Sequence, residues 1–480
     1  MAAVDHAHRA HRTGHRHRAL IAYGERVIPI VTPAEMAAID ARADVSTEVL
    51  IQRAGAAVAR VALAFLGGTY GRRVTVIAGK GNNGNDGRAA TRQLERKGVR
   101  VTVLDATELP ERLPVADLVI DAAYGTGFRG SWPAPDPGDT PVIAVDIPSG
   151  IDGLTGAVGG PVMQATITVT FAALKPGLFL DPGRELVGHV EVADIGLDVS
   201  RARSHLVEAG DVAAWLPERR ADAHKWRAAV WIVAGSTGMT GAAHLAARGA
   251  QRAGAGMVRL GTPAVGHDPM TPVEVVGRPL PPAPWHLDVL ADLDRFHALV
   301  VGPGLGRGDT TAESVRALVS AAPVPAVVDG DGLVALAWSS EGPAKVLEGR
   351  EAPTVLTPHD GEFAFLRGAR VGADRLASAR KLAADLRAIV LLKGPSTVVA
   401  APDGRVLVIA EGDSRLATAG TGDVLAGVIG ALLAQRLAPL EAAGAGAWLH
   451  ARAARHGYER GLVAGDLPDL LPEAFADLAR

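Results

Sequence analysis

The sequence has no cysteine at all. That excludes disulfides, zinc–thiolate sites and cysteine nucleophiles, and it points to a reducing, cytoplasmic compartment. Aromatic residues are scarce at 4%, and the formal net charge is only -3. No global basic field is available to attract nucleic acid. Long apolar runs are missing too. The most tempting one, VLAGVIGALLA (424–434), falls short of the roughly 20 residues a membrane span needs, and it begins beside Asp423. It reads as a buried core helix, and no segment reads as a span. The first twenty residues, MAAVDHAHRAHRTGHRHRAL, lack the apolar stretch of a secretory signal. Their histidines, His6, His8, His11, His15 and His17, have the look of a metal tract, but the reading adopted is a disordered tail over residues 1–29.

What the chain does have is length and small residues. Its 480 residues suggest two or three domains at about 150 residues each. Hydrophobic residues at 48% and charged residues at 21% are ordinary globular values. The 57 glycines and 31 prolines suit tight turns and close packing. Two blocks emerge, 30–208 and 209–480, with the Pro-containing, charged stretch WLPERRADAHKW (215–226) at the join. In the first block, 33–66 reads as one Ala-rich helix with 3.6-residue spacing. Runs 74–79, 99–105, 116–122 and 141–146 read as buried parallel strands that alternate with helices, hence a doubly wound α/β sheet. The second block repeats the pattern. Strands are expected at 229–235, 297–304, 325–332, 353–359 and 388–394, with helices between them, making a second α/β sandwich.

In open parallel sheets, ligands bind at the carboxyl ends of the strands, and the Gly, Asn and Asp motifs of the first block fall there. GKGNNGNDGR (79–88) follows a strand, with helix expected to begin near Asp86 or Gly87 and free N–H groups pointing outward. It is neither a Walker A loop nor a G-x-G-x-x-G fingerprint. DAAYGTGFRGS (121–131) and VDIPSGIDGLTG (145–156) follow two more strands. Asp121, Asn83 and Ser149 offer a carboxylate, an amide and a hydroxyl, an all-oxygen set suited to a hard cation. Asp146 remains as the proton-transfer group. Each Asp alone is equally well explained as a turn or cap residue. Convergence of three such loops favours a site.

These motifs, with VEVADIGL (190–197), resemble the YjeF N-terminal domain, the NAD(P)H-hydrate epimerase family, over about Thr32 to Leu197. The resemblance implies a Rossmann-like three-layer sandwich that interconverts the R and S forms of NADHX and NADPHX, nicotinamide cofactors hydrated at C6. It implies potassium ligands at Asn83, Asp121 and Ser149. It also implies hydrate contacts from Asn82, Asn83, Gly84, Asn85 and Asp86 and from Gly125, Thr126, Gly127, Phe128, Arg129, Gly130 and Ser131, with Asp146 at the reacting ring. The family usually carries Gly where this chain has Asn85. Asn tolerates left-handed backbone better than most residues, so the loop is expected to survive.

The second block's sharpest signal is AGTGDVLAG (419–427). Two glycines and a helix N-terminus make an anion hole, with Asp423 at its mouth as a base. Its plainer role is a helix cap. LLKGPSTVV (391–399) is a phosphate cradle or a hairpin with a surface lysine. GPGLG (302–306), TPHDGEF (357–363) and AGSTGMTGAA (234–243) complete the set. In this order they resemble the YjeF C-terminal domain, the ADP/ATP-dependent NAD(P)H-hydrate dehydratase family, a ribokinase-like α/β fold. The resemblance implies AMP contacts at Lys393, Gly394, Pro395, Ser396, Thr397 and Gly422. It implies hydrate contacts at Ala242, Gly304, His359 and Asp423. Trp226 stands where that family favours Gly, in the entry to the domain, and DGDGL stands where DAD is commoner.

The chemistry implied is phosphorylation of the C6 hydroxyl with ADP as donor and Mg²⁺ as the neutralising cation, Asp423 taking the hydroxyl proton, then loss of phosphate to leave AMP and NAD(P)H. The expected partners are NADHX, NADPHX and ADP, with no nucleic acid and no membrane, in a homo-oligomer. Two rivals stand beside this reading: a ribokinase-type kinase of small molecules, and a first block that only binds or oligomerises.

Overall fold

The computed structural model describes residues 28–218, 221–222 and 224–479. The expectation of a disordered tail over 1–29 lies outside the described residues, except for Ile28 and Pro29, which are strand. The chain separates into two compact units, one ending at Arg203 and one beginning at Ser204. The boundary expected at 208/209 moves because β8 (Ser204–Leu206) pairs in parallel with Val406–Val408, a strand of the second sheet. The following helix, Ala209–Trp215, carries Val212 into the second unit's core.

In the first unit β1 (Ile28–Ile30) bridges to Leu174, and β2 (Arg73–Ala78), β3 (Arg100–Asp105), β4 (Leu118–Ala122), β5 (Val142–Val145), β6 (Ile167–Phe171) and β7 (His189–Ala193) form one sheet. Its order is β3-β2-β4-β5-β6-β7, every pairing parallel. The single helix expected over 33–66 is two helices. Pro33–Asp40 starts from a Thr32–Glu35 capping box, and Thr47–Leu66 starts after Ser46, whose extended backbone breaks the run. Helix Thr47–Leu66 is long and apolar enough to cross a membrane by composition, contrary to the sequence reading. Its apolar face instead packs into the core, with Val58 and Ala62 wholly buried. β3, expected to be buried, is an exposed edge strand on which Val103 is 44% exposed. Position in the sheet, not composition, decided that.

The second unit adds β9 (Ala229–Val233), β10 (Met257–Pro263), β11 (Val276–Leu280), β12 (Ala298–Val301), β13 (Ala326–Val328), β14 (Thr354–Leu356), β15 (Ile389–Leu392), β16 (Thr397–Ala400) and β17 (Val406–Ile409). The order is β8-β17-β16-β15-β14-β13-β12-β9-β10-β11. Only β16 runs against its neighbours. Five strands of this sheet, β8, β10, β11, β16 and β17, escaped the sequence reading. Helix Thr421–Ala434 is buried along nearly its whole length, as its composition required. Gly427 lets it lie directly against the Ala246 carbonyl of helix Thr240–Arg252. Trp226 stacks under the Arg295 guanidinium at 3.8 Å, at the amino end of β9, the end of the sheet opposite the binding motifs.

Candidate active sites

The first unit's motifs meet at the carboxyl ends of β2, β4, β5 and β6. Helix Asn82–Arg96 starts four residues earlier than expected for Asp86, with Gly81 as its N-cap. Asn83 and Asp86, three apart, therefore share a helix face. Asp121 is fully buried. It accepts from the Ser149 hydroxyl at 2.6 Å and the Ser149 N–H at 2.8 Å. The Ser149 oxygen in turn accepts from the Tyr124 N–H at 2.9 Å. Burial pushes the Asp121 carboxyl up, against these hydrogen bonds. The Asn83 side-chain amide nitrogen is buried without a partner. A Cβ on Gly125 would sit 3.2 Å from Asp146 Oδ2 and 3.3 Å from Asn83 Oδ1, so glycine there keeps the space between those two side chains open.

Asp146 sits just past β5. Burial disfavours its charge, yet the Lys175 ammonium, 2.8 Å from Oδ1, holds the carboxyl below its usual range. Asp86 behaves in the opposite way. Burial first, then the Asp146 and Asp40 charges, push it up to about 8. Two carboxyls of this site are thus pushed in opposite directions, the pattern that divides base from acid roles.

Thr126 reaches Asp146 Oδ2 through its N–H at 3.2 Å. Arg129 pairs with Asp152 of the 145–156 loop at 3.3 Å, and Phe128 packs on Tyr124 of its own loop with ring centroids 4.6 Å apart. Gly127, Gly130 and Ser131 are exposed in that loop. Asn85 does not need the left-handed backbone invoked for it, since it lies within the helix. It lines a groove of about 450 Å³ with Glu48, Ile51, Gln52, Arg88 and Arg92, none of them in the Asp146 cluster.

Sequence reasoning missed Lys175, Thr170 and Asp40. Lys175 had a legible signal. It is the lone charge in FAALKPGLFL (171–180), and a lysine in so apolar a run must find a buried partner.

The second unit's residues gather at the carboxyl ends of β12 to β15. Lys393 to Thr397 form the turn between β15 and β16, the hairpin reading, but Lys393 is not a surface residue. Its ammonium lies 2.9 Å from Asp329 Oδ1 and 3.6 Å from Glu362 Oε2. Burial opposes its charge, and those two carboxylates hold it above the usual lysine range. Asp329 also accepts from Thr357 Oγ1 at 2.7 Å. A Cβ on Gly422 would lie 3.4 Å from Lys393 Nζ, which places the helix N-terminus against this pair. Asp423 follows in the first turn. Burial, then the Asp329 charge, push it up to about 7.

His359 caps helix Asp360–Arg367, its Nδ1 accepting from the Gly361 N–H at 3.0 Å. Its side chain is 59% exposed. Ala242 and Gly304 lie together, a Cβ on Gly304 falling 2.8 Å from that of Ala242. Missed here were Asp329, Glu362 and Arg375, whose guanidinium bonds the Lys393 carbonyl and pairs with Asp360 at 2.9 Å. Also missed was His450, buried beside Thr421, whose Nε2 has no partner. Burial drives that imidazole down to about 4, so it is neutral.

Comparison with known proteins follows this division. The family described as YjeF-related protein N-terminus matches residues 47–114 and 105–177. The family described as NAD(P)H-hydrate dehydratase matches residues 230–476. The bifunctional NAD(P)H-hydrate repair enzyme of Moorella thermoacetica is 39% identical, covering 94% of this chain and 97% of that protein. The corresponding Mycobacterium tuberculosis enzyme is 40% identical over 80% of this chain and 84% of its own. Among solved structures, a ribokinase-like superfamily protein from Enterococcus faecalis superposes with TM-score 0.50 at 19% identity, covering 58% of this chain and 98% of that one. The last likeness bears on the fold of the second unit alone.

Proposed function

The chain belongs to the family of bifunctional NAD(P)H-hydrate repair enzymes, and from that premise we propose that it repairs hydrated NADH and NADPH in two steps. The first unit epimerises R- and S-NADHX and NADPHX. The second dehydrates the S form with ADP, releasing AMP and phosphate. The observation that carries this reading is a half-buried carboxyl in the motif cluster of each unit, Asp146 just past β5 and Asp423 in the first turn of helix Thr421–Ala434, which we take as the proton-handling groups.

In the first unit Asp146 exchanges a proton with the hydrate while the helix start at Asn82, Asn83 and Asp86 and the loop 125–131 hold it. A potassium ion fits Asn83, Asp121 and Ser149. Asp121 is wholly buried, and the pull of burial toward its neutral form is what a monovalent cation would reverse. Bound there, the cation would fix the loops electrostatically.

In the second unit Asp423 accepts the C6 hydroxyl proton as the phosphoryl group passes from ADP to that oxygen. The C6–O bond then breaks with phosphate as the leaving group, and loss of the C5 proton restores the ring. Residues Lys393 to Thr397 and Gly422 hold the nucleotide, while Ala242, Gly304 and His359 face the hydrate. Mg²⁺ would neutralise the phosphates, and Asp329, Asp331 and Glu362, all felt by Asp423 as negative charge, form an acid-rich wall suited to it. The cytoplasm, where both cofactors turn over, and a homo-oligomer complete the reading. Sedimentation velocity reads the latter.

The experiment is one incubation of mixed R- and S-NADHX with ADP. Complete recovery of NADH supports both activities. Recovery that stalls at the S fraction removes the epimerase, and no recovery removes the dehydratase. The companion variant is Asp146→Asn, expected to lose about 10²–10⁴-fold in epimerisation while S-NADHX is still consumed with ADP.

A further inference from the structure

Lys175 is 1% exposed, and its ammonium has three acceptors for its three hydrogens: Asp146 Oδ1 at 2.8 Å, Thr170 Oγ1 at 2.9 Å and the Phe171 carbonyl at 2.9 Å. The Thr170 hydroxyl, taking a hydrogen from Lys175, gives its own to Asp146 Oδ1 at 3.2 Å. Oδ1 is therefore engaged by two donors. Oδ2 accepts from the Thr126 N–H at 3.2 Å, with the Thr126 hydroxyl also bonding the carboxylate, and it borders the space kept free by Gly125. The two carboxylate oxygens are not equivalent.

The backbone is shaped to the same end. β5 and β6 both finish in the same tight three-residue turn. The Ile147 N–H returns to the Val145 carbonyl at 2.9 Å around Asp146 (φ 68), and the Ala173 N–H returns to the Phe171 carbonyl at 2.7 Å around Ala172 (φ 62). Positive φ at buried residues other than glycine is strained and needs support from its surroundings. The first turn aims the Asp146 carboxylate. The second precedes Lys175 and presents the Phe171 carbonyl to it.

We propose that Lys175 is the positioning residue of the epimerisation site, locking Asp146 through Oδ1 so that Oδ2 alone exchanges the hydrate's C6 hydroxyl proton. In that exchange the hydroxyl O–H bond breaks and its proton joins Oδ2, while the pair left on oxygen forms a C6 carbonyl as the C6–N1 bond breaks and its electrons pass to N1 and the conjugated carboxamide. Rotation about C5–C6 turns the other carbonyl face to N1, the N1–C6 bond re-forms there, and Oδ2 returns the proton to the oxygen. The inference rests on the reading of Asp146 as the base.

A lysine that merely neutralised a buried carboxylate would affect stability without touching turnover selectively. The test uses the full chain and pure R-NADHX without ADP, following formation of the S form across pH. Lys175→Met is expected to lower kcat about 10²-fold with KM nearly unchanged. Its acid limb should also move upward, because Asp146, no longer beside an ammonium and still facing Asp40 and Asp86, takes up a proton at higher pH. Thr170→Val, which keeps the ammonium, should lower kcat about tenfold, the loss of one hydrogen bond to Oδ1. An unmoved thermal unfolding transition of the first unit in the same preparations reports that this unit is folded. If Lys175→Met fails that control, Thr170→Val decides. Wild-type kcat in a folded variant, or a loss confined to KM with an unmoved acid limb, overturns the proposal. Absence of epimerisation in the wild type is a different result and rejects the reading of the first unit itself.

Discussion

Each unit sets a buried lysine against an aspartate at its strand ends, Lys175–Asp146 at 2.8 Å and Lys393–Asp329 at 2.9 Å, but uses the pair differently. In the first unit the lysine touches the proposed base directly and keeps it ionised. In the second the lysine is occupied by Asp329 and Glu362, and the proposed base, Asp423, is pushed up to about 7 by burial and then by the like charges around it. A base tuned near the working pH combines a useful ionised fraction with real affinity for the proton. That suits taking a proton from a poorly acidic hydroxyl during phosphoryl transfer. A base held low is always ready but weak, which suits a reversible exchange between two forms of one substrate. On the proposed reading the same two residue types serve two chemistries, and what differs is which carboxyl the ammonium touches.

The largest expected effect removes the second base. Asp423→Asn should lower dehydration of S-NADHX by about 10²–10⁴-fold and leave epimerisation unchanged, with ADP binding, read by calorimetry, nearly intact. Near-normal turnover would take Asp423 out of the comparison altogether.

Next comes the ion pair. Lys393→Met strands Asp329 and Glu362 without their cation, and breaking such a buried pair costs about 3–5 kcal/mol. Thermal unfolding of the second unit should fall accordingly while that of the first stays put. An unmoved transition would mean that Lys393 is held only loosely.

The pH dependence follows with a fixed sign. Both bases must be ionised to act. Dehydration should fall about tenfold per pH unit below a midpoint near 7, as Asp423 takes up its proton. Epimerisation should hold its acid side well below that, because the Asp146 carboxyl is depressed. Coincident acid limbs in the two assays would erase the contrast.

The smallest effect is expected at Asn85→Gly. The position is helical and lines a groove away from Asp146. Epimerisation should stay within about twofold, and stability should drop by a few tenths of a kcal/mol, at most about 1, from glycine's poorer helix propensity. A large gain in epimerisation would show that the side chain obstructs the site.

The sequence alone determined the α/β class, both βαβ successions, and the strand-end motifs that carry Asn83, Asp121, Asp146, Ser149, Lys393 and Asp423. Strand–Gly/Asn/Asp–helix patterns are local, and local pattern suffices to place a residue at a strand end. Resemblance to two families sharpened that into an activity. What tertiary structure decided was everything that depends on neighbours distant in sequence. β3 is exposed because it is an edge. β8 belongs to the second unit because it pairs with β17, some two hundred residues on. The two ammonium groups find Asp146 and Asp329 across 29 and 64 positions, 175 - 146 and 393 - 329. Burial and charge set the protonation of Asp86, Asp146 and Asp423, and both are sums over the surrounding fold, which no single segment of sequence contains.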